Sequence, residues 1–312
     1  MKGKIKYFTA SLIVLLVSAT VKTVINPFAL KSNGNKSSAA AGETAQNVIS
    51  PQASELVESY LNKTPAKAIA PNLTLEEAQK IKQQFIGEIG KELGPVVGYK
   101  AGLTSETAQK QFNVSQPLLG TLFQQMLLPN GRIISPKFGS RPFSEGDLMV
   151  RVGSEEINNA KTTREALASL DAVVPFLELP DLVYSAGVKL DAPAILAINV
   201  GARYGIVGEP ILLDSAEEWE SRLKNMTLEI LDADGTVLAT GKGSNLLGNP
   251  LNVVLWIKDS LLAEGKRLKK GDLLSLGTIT PLMPVKPNTS IRARYTGLKP
   301  DETVEIFAIF EE

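Results

Sequence analysis

The 312-residue sequence contains no cysteine and no histidine. The first absence excludes disulfide frameworks, thiolate metal sites, cysteine nucleophiles and a lipid anchor on cysteine. The second removes the Ser-His-Asp triad, the HExxH zinc motif and the commonest general base. Acid–base chemistry must fall to carboxylates, lysine, tyrosine or metal-bound water. Any metal site must be built from oxygen donors, which suit magnesium, manganese or calcium better than zinc. Neither sign of charge is in excess, with 33 basic and 33 acidic residues. No basic surplus points to nucleic acid, and no glycine-rich phosphate loop points to a nucleotide. No internal repeat is present. What remains is a chain that is 44% hydrophobic and 21% charged, sufficient for one large domain or two smaller ones with a core.

The first residues carry Lys2, Lys4 and Lys6, followed by an apolar run over 7–21. A positive start and an apolar centre are the layout of a secretory signal, and Val17-Ser18-Ala19 offers small residues for cleavage. The run falls short of the ~20 residues that span a bilayer, but it extends past Lys22 toward Phe28 as an uncleaved anchor. Residues 1–30 are therefore expected to be a signal peptide or membrane anchor, with an exported, periplasmic or membrane-anchored protein as the result. Membrane contact is expected only through this segment. Residues 31–50 are small, polar and without hydrophobic period, and read as a flexible linker.

Beyond the linker, 53–61 and 75–93 have helical spacing. Thr74 and Glu77 form a capping box for the second, and Gly94-Pro95 stops it. Residues 96–100 read as a strand. A helix is expected over 164–176 and another over 251–264. Short β-rich stretches follow at 194–200, 226–231, 236–238, 273–276, 290–295 and 303–310, punctuated by turns such as Asp234-Gly235 and Lys270-Gly271-Asp272. Helices first and strands later predict an α+β fold, with a helical and strand-bearing N-terminal part over 51–138 and a larger domain over 139–312.

Three acids stand out. Glu145 and Asp147 flank Gly146 at a strand start, so alternation puts them on one face. Glu178 sits in the apolar run Val174-Pro175-Phe176-Leu177-Glu178-Leu179. Adjacent carboxylates repel unless a cation or proton lies between them, and a buried acid needs a partner. From the residues alone, two readings stand: a shared metal ion, or a solvated strand edge with Glu178 capping a turn. Gly146 leaves room for something close to the backbone.

Several segments, in order, resemble the 2-keto-4-pentenoate hydratases, a metal-dependent branch of the fumarylacetoacetate hydrolase superfamily. They are Gly98-Tyr99-Lys100-Ala101-Gly102-Leu103-Thr104, Gln116-Pro117-Leu118-Leu119-Gly120-Thr121-Leu122, Arg141-Pro142-Phe143-Ser144-Glu145-Gly146-Asp147 and the Pro-Phe-Leu-Glu stretch ending at Glu178. A glycine-rich turn follows from Thr240 through Lys242, Ser244 and Asn249 to Leu251, and then Gly277-Thr278-Ile279-Thr280-Pro281. The likeness runs over about residues 55–312. It implies a mixed β roll or sandwich of the fumarylacetoacetate hydrolase type with flanking helices. It also implies one Mg2+ or Mn2+ held by Glu145, Asp147 and Glu178, with Lys100 as the catalytic group. Leu103, Asn199, Lys242 and Ser244 are implied as substrate-binding. The partner implied is a small 2-oxo or dienoic acid, and a homo-oligomer is usual among such proteins.

The departures bear on specificity. Asp147 stands where glutamate is usual, and Asn249 replaces a histidine. In Ile198-Asn199-Val200-Gly201 only Asn199 is kept from an Asp-Asn-Ala-Ser run. The resemblance thus implies a lyase that hydrates 2-hydroxy-2,4-dienoates. Its alternatives are a 4-oxalocrotonate-type decarboxylase and an exported, non-catalytic binder of 2-oxo acids. Mass spectrometry of the native protein is expected to find a start near Thr20, or the whole chain in the membrane fraction. A soluble cytoplasmic chain retaining Met1 overturns the export reading.

Overall fold

The computed structural model describes residues 49–67, 72–213 and 216–312. The segment expected to be a signal peptide or anchor, and all but the end of the expected linker, residues 1–48, lie outside them. In chain order the helices are α1 (Pro51–Asn62), α2 (Leu75–Leu93), α3 (Glu106–Gln111), α4 (Thr163–Ala168), α5 (Ala192–Ala197), α6 (Ala216–Asn225) and α7 (Pro250–Ala263). The strands are β1 (Val96–Gly102), β2 (Leu118–Phe123), β3 (Leu127–Pro129), β4 (Ile133–Ile134), β5 (Phe143–Val152), β6 (Leu170–Leu179) and β7 (Tyr204–Val207). The remaining strands are β8 (Ile211–Leu212), β9 (Thr227–Leu231), β10 (Val237–Lys242), β11 (Leu273–Ser275), β12 (Met283–Pro284), β13 (Thr289–Lys299) and β14 (Glu302–Phe310). This is the α+β fold expected from the sequence. Among the described residues no helix is long and apolar enough to cross a membrane.

The local chemistry explains the helices. The Thr74 hydroxyl accepts the Glu77 amide while the Glu77 carboxylate accepts the Thr74 amide, the capping box read from the sequence. Ala78, Ile81, Phe85 and Ile89 then bury one face of α2. Two stretches depart from expectation. Helix covers only Thr163–Ala168, and Leu170–Leu179 is the ten-residue strand β6. Its apolar run is buried on both faces, so it shows no alternation to distinguish it from a helix. Conversely, 194–200 is not a strand. Asp191 caps α5 by accepting the Ala194 amide, with proline in the first turn.

The strands form two sheets. Nine strands run in the order β2-β1-β11-β5-β6-β7-β3, with β12 also pairing β5 and β8 pairing β6. Five run in the order β10-β9-β13-β14-β4. Strands β1 and β2 thus share the larger sheet with β5 and β6. One face of that sheet, through Leu148, Val150 and Leu177, joins a core with Leu228, Ile230 and Ala293 of the smaller sheet. The opposite face, through Met149, Val174 and Phe176, joins a core with Phe85 and Ile89 of α2 and Ile195 of α5.

Two features fix how the sheets meet. The Tyr295 hydroxyl accepts the Phe176 amide at 3.0 Å and lies 2.8 Å from the Asp147 carbonyl and 2.7 Å from that of Phe176, bridging β5 and β6 from the second sheet. Gly146 packs directly against the second sheet: a Cβ there would lie 2.4 Å from Leu228 Cδ2. The room at Gly146 therefore serves a core leucine and not a ligand. Gly146→Ala is expected to overpack this contact and to destabilise the fold by about 1–3 kcal/mol in urea denaturation. An unchanged midpoint would show that the sheets can part here without cost.

Candidate active site

The register of the larger sheet assembles the site. Lys100 on β1 lies opposite Ser275 on β11, which lies opposite Met149 on β5. Asp147 lies opposite Phe176, and Glu145 opposite Glu178 on β6. Alternation from these pairs puts Lys100, Ser275, Glu145, Asp147 and Glu178 on the helix-covered face. The four charged residues are almost completely enclosed: Lys100 and Glu178 are 2% exposed, Glu145 7% and Asp147 0%. Burial this deep excludes the solvated strand edge.

Each charge has specific partners. The Lys100 ammonium donates a hydrogen bond to Glu178 Oε1 and another, of 3.0 Å, to the Val200 carbonyl. Asp147 Oδ2 accepts from the Ser275 hydroxyl and Oδ1 from the Leu148 amide, so this shorter acid is turned toward β11. The Thr278 hydroxyl donates to Glu145. The turn carrying it is tied to β5 through Gly146, which donates to Thr280 Oγ1 and accepts from the Ile279 amide. Glu178 Oε2 is buried without a hydrogen-bond partner, as is Thr104 Oγ1 in the segment after β1.

The electrostatics are those of crowded acids. Burial, reinforced by the Glu178 charge, pushes Glu145 well above the usual carboxylate range against the opposing pull of Lys100 and Thr278. Burial and Glu178 do the same to Asp147, against Ser275 and the Leu148 amide. Burial alone would push the Lys100 ammonium down, but Glu178, Glu145 and Asp147 outweigh it and hold it above the ordinary lysine value. As it stands, no group of three or more acidic side chains among the described residues is set to hold a metal ion. Glu178 is instead turned to the ammonium.

The backbone around Lys100 is specialised. Gly120 lies opposite it on β2, where a Cβ would come within 2.7 Å of Lys100 Cγ. Asn199, Val200 and Gly201 all have positive φ. For a β-branched residue such as Val200 this is a strained conformation, and it aims the Val200 carbonyl at the ammonium.

The residues expected to bind substrate are placed differently. Asn199 is fully buried, and both ends of its amide are used on Thr121: Oδ1 accepts the Thr121 amide and Nδ2 donates to its carbonyl, each at 2.8 Å. Its polar groups clamp β2 instead of facing a ligand. Leu103, at positive φ after β1, packs its side chain in the helix-side core and accepts Gln109 Nε2 at its carbonyl. Lys242 is exposed at the end of β10. Ser244, half-buried in the turn that follows, accepts the Gly248 amide at its carbonyl. The hydroxyls of Ser275 and Thr278 were not singled out from the sequence. Thr278 lies in the Gly277–Pro281 turn that resembles the hydratases, whereas Ser275 carries no signal beyond its strand.

No family model matches the chain. Curated relatives do. The 2-keto-4-pentenoate hydratase of Burkholderia vietnamiensis is 30% identical over 224 residues, 69% of this chain and 80% of that protein. The 4-oxalocrotonate decarboxylase of Pseudomonas putida is 26% identical over 228 residues, 73% of this chain and 84% of that one. A solved structure of the 4-oxalocrotonate decarboxylase from Pseudomonas putida G7, complexed with magnesium and adipate, superposes with a TM-score of 0.71. It is 25% identical, and the match covers 83% of this chain and 95% of that one. The chain belongs to the 2-keto-4-pentenoate hydratase family of the fumarylacetoacetate hydrolase superfamily.

Asn199→Ala is expected to leave the buried Thr121 amide and carbonyl unpaired and to lower stability by about 1–3 kcal/mol in thermal or urea unfolding. Full stability in this variant would show that the amide clamp is dispensable.

Proposed function

We propose that the chain is a divalent-metal-dependent lyase acting on small 2-oxo or 2-hydroxydienoic acids, a hydratase of the 2-keto-4-pentenoate type. The observation that carries this reading is the burial of Glu145, Asp147, Glu178 and Lys100 on one face of the sheet. Three acidic side chains face one ammonium, more than it can neutralise, so burial and the Glu178 charge hold Glu145 and Asp147 toward protonated forms whose protons a cation could replace. Crowded oxygen-only donors fit a hard divalent cation, Mg2+ or Mn2+. Glu145, Asp147 and Glu178 are the residues that would hold it, with Glu178 turning from Lys100 to do so. When bound, such an ion would supply Lewis acidity toward the oxygens of a 2-oxo acid.

The protein's own groups do the rest. Lys100, held protonated by the acids around it, stores a proton at Nζ beside the site and offers a cation to the substrate carboxylate. With Glu178 turned to a cation, Nζ would be free to exchange its proton with the substrate. The strained Val200 carbonyl keeps the ammonium aimed, and the packed helices α2 and α5 exclude bulk water, which strengthens each of these interactions. The same reading takes the protein as exported, on the strength of the N-terminal lysines and apolar run, with a small-molecule partner and as a homo-oligomer.

A second reading has its own support. The chain resembles curated decarboxylases about as well as hydratases, so loss of carbon dioxide from a 4-oxalocrotonate-type acid is the alternative reaction of the same site. Lys100→Ala is expected to slow turnover of a 2-hydroxydienoate about a hundredfold or more. Magnesium binding, followed by calorimetry, should stay equal or tighten, because a competitor for Glu178 is gone. Chelation should abolish parental turnover, and Mg2+ or Mn2+ should restore it. Parental turnover in the mutant would reduce Lys100 to a structural residue. Binding of 2-oxo acids without any turnover by the parent would favour the non-catalytic relative.

A further inference from the structure

We propose that two copies of this chain join edge to edge through β10, each extending the other's smaller sheet in an antiparallel, two-fold pairing. The inference rests on the homo-oligomer reading and names its surface, and it is independent of the reaction assigned to the buried acids.

The two sheets end at four strands: β2 and β3 of the larger, β10 and β4 of the smaller. An open edge is a row of unpaired amides and carbonyls, and folded proteins close such edges by specific means. On β2 the Leu119 carbonyl accepts Lys82 Nζ at 2.8 Å, and Asn199 takes both main-chain groups of Thr121. Lys82 is itself buried, so it seals this edge instead of solvating it. β3 has three residues and ends in Pro129. β4 has two, and the neighbouring Asn130 and Gly131 engage the main chain of Phe307 on β14.

The edge at β10 has no such closure. The strand pairs with β9 alone. Lys242 lies opposite Thr227 and Gly241 opposite Leu228, and the Gly243 amide continues the ladder by donating to the Met226 carbonyl. Bonded pairs alternate along an antiparallel ladder. Ala239 and Gly241 therefore bond to β9, while the amides and carbonyls of Thr240 and Lys242 face away from it. Among the described residues no other strand or side chain pairs with that outer edge. The strand has no proline, and its one charge, Lys242, stands at its last position. Its bulge lies at Leu238, and from Ala239 onward the register is regular. Val237 and Leu238 are 46% and 49% exposed, large apolar groups at the open edge.

What fits this edge is its own copy. Asp232 and Asp234 precede the strand, and Lys242 ends it. Antiparallel pairing sets the acidic end of one strand toward the basic end of the other, and the two-fold axis makes that match twice. A parallel pairing would set like charges together. The antiparallel arrangement also lays Val237 and Leu238 of each copy beside the partner strand, and it gives the outward groups of Thr240 main-chain partners.

The test follows the full chain by sedimentation velocity over a range of concentrations, beside Thr240→Pro, Leu238→Lys and Ile133→Lys. Thr240→Pro removes an outward donor without touching a bond to β9. Leu238→Lys places a charge on the edge, and it stands in if the proline variant does not fold. Each is expected to raise the dissociation constant of the pairing at least about tenfold, because the two-fold axis doubles every loss. Ile133→Lys, at an exposed residue on the opposite end of the smaller sheet, should change it by no more than about twofold. Hydrogen exchange at the Thr240 and Lys242 amides should slow as the parent is concentrated through the same range. An oligomer that survives both edge variants, or that Ile133→Lys weakens as much, leaves the homo-oligomer reading standing and overturns this one. A parent that is monomeric at every concentration overturns both.

Discussion

The buried contact between the Lys100 ammonium and Glu178 is the interaction on which the site depends. Three carboxylates enclosed at the meeting of β5 and β6 would repel one another strongly in a medium of low polarity. A single cation from β1 offsets part of that repulsion, and the rest is carried by hydroxyl and amide donors: Ser275, Thr278 and the Leu148 amide. Such an arrangement contributes little to stability compared with an apolar core of the same volume. Its retention inside an otherwise apolar layer points to use in chemistry.

The surrounding scaffold is organised to keep that cluster in place. Long strands buried on both faces give β5 and β6 a register that cannot slip without moving every side chain to the wrong side. Tyr295 ties both strands to the second sheet at the level of Asp147 and Phe176. On the other side, the Asn199 clamp fixes the left-handed turn whose carbonyl meets Lys100. Strain at Val200 is therefore borne by a segment held by the Asn199 clamp on one side and, on the other, by the Gly201 carbonyl accepting the Asp181 amide.

Much of this was legible in the residues. The capping box of α2 follows from Thr74 and Glu77 alone, because it is a local interaction. Glu145, Asp147, Glu178 and Lys100 stood out as acids and a lysine within family-like segments, and the fold brings all four together. Less was legible where burial removes periodicity. β6 looked helical because both its faces are apolar, and α5 looked like a strand because it is buried nearly all round. Asn199 was seen as a ligand-facing amide, since nothing local reveals that its partner is a backbone unit on β2. Ser275 and Thr278 join the site only through pairing between strands far apart in the chain, which local patterns do not encode.

The parallel pairing of β1 with β11 sets Tyr99 and Lys100 beside Leu274 and Ser275. Chain segments separated by more than half the length of the protein are thus immediate neighbours at its chemical centre. Closing so long a loop delays folding, and during synthesis the lysine has no neighbouring strand on that side until the last part of the polypeptide has emerged. A nascent chain that stops short of Leu273 lacks the strand that joins β1 to β5, although β5 and β6 with their three acids have already been made. The lysine and the acids are therefore held in one sheet only by a strand made late in synthesis.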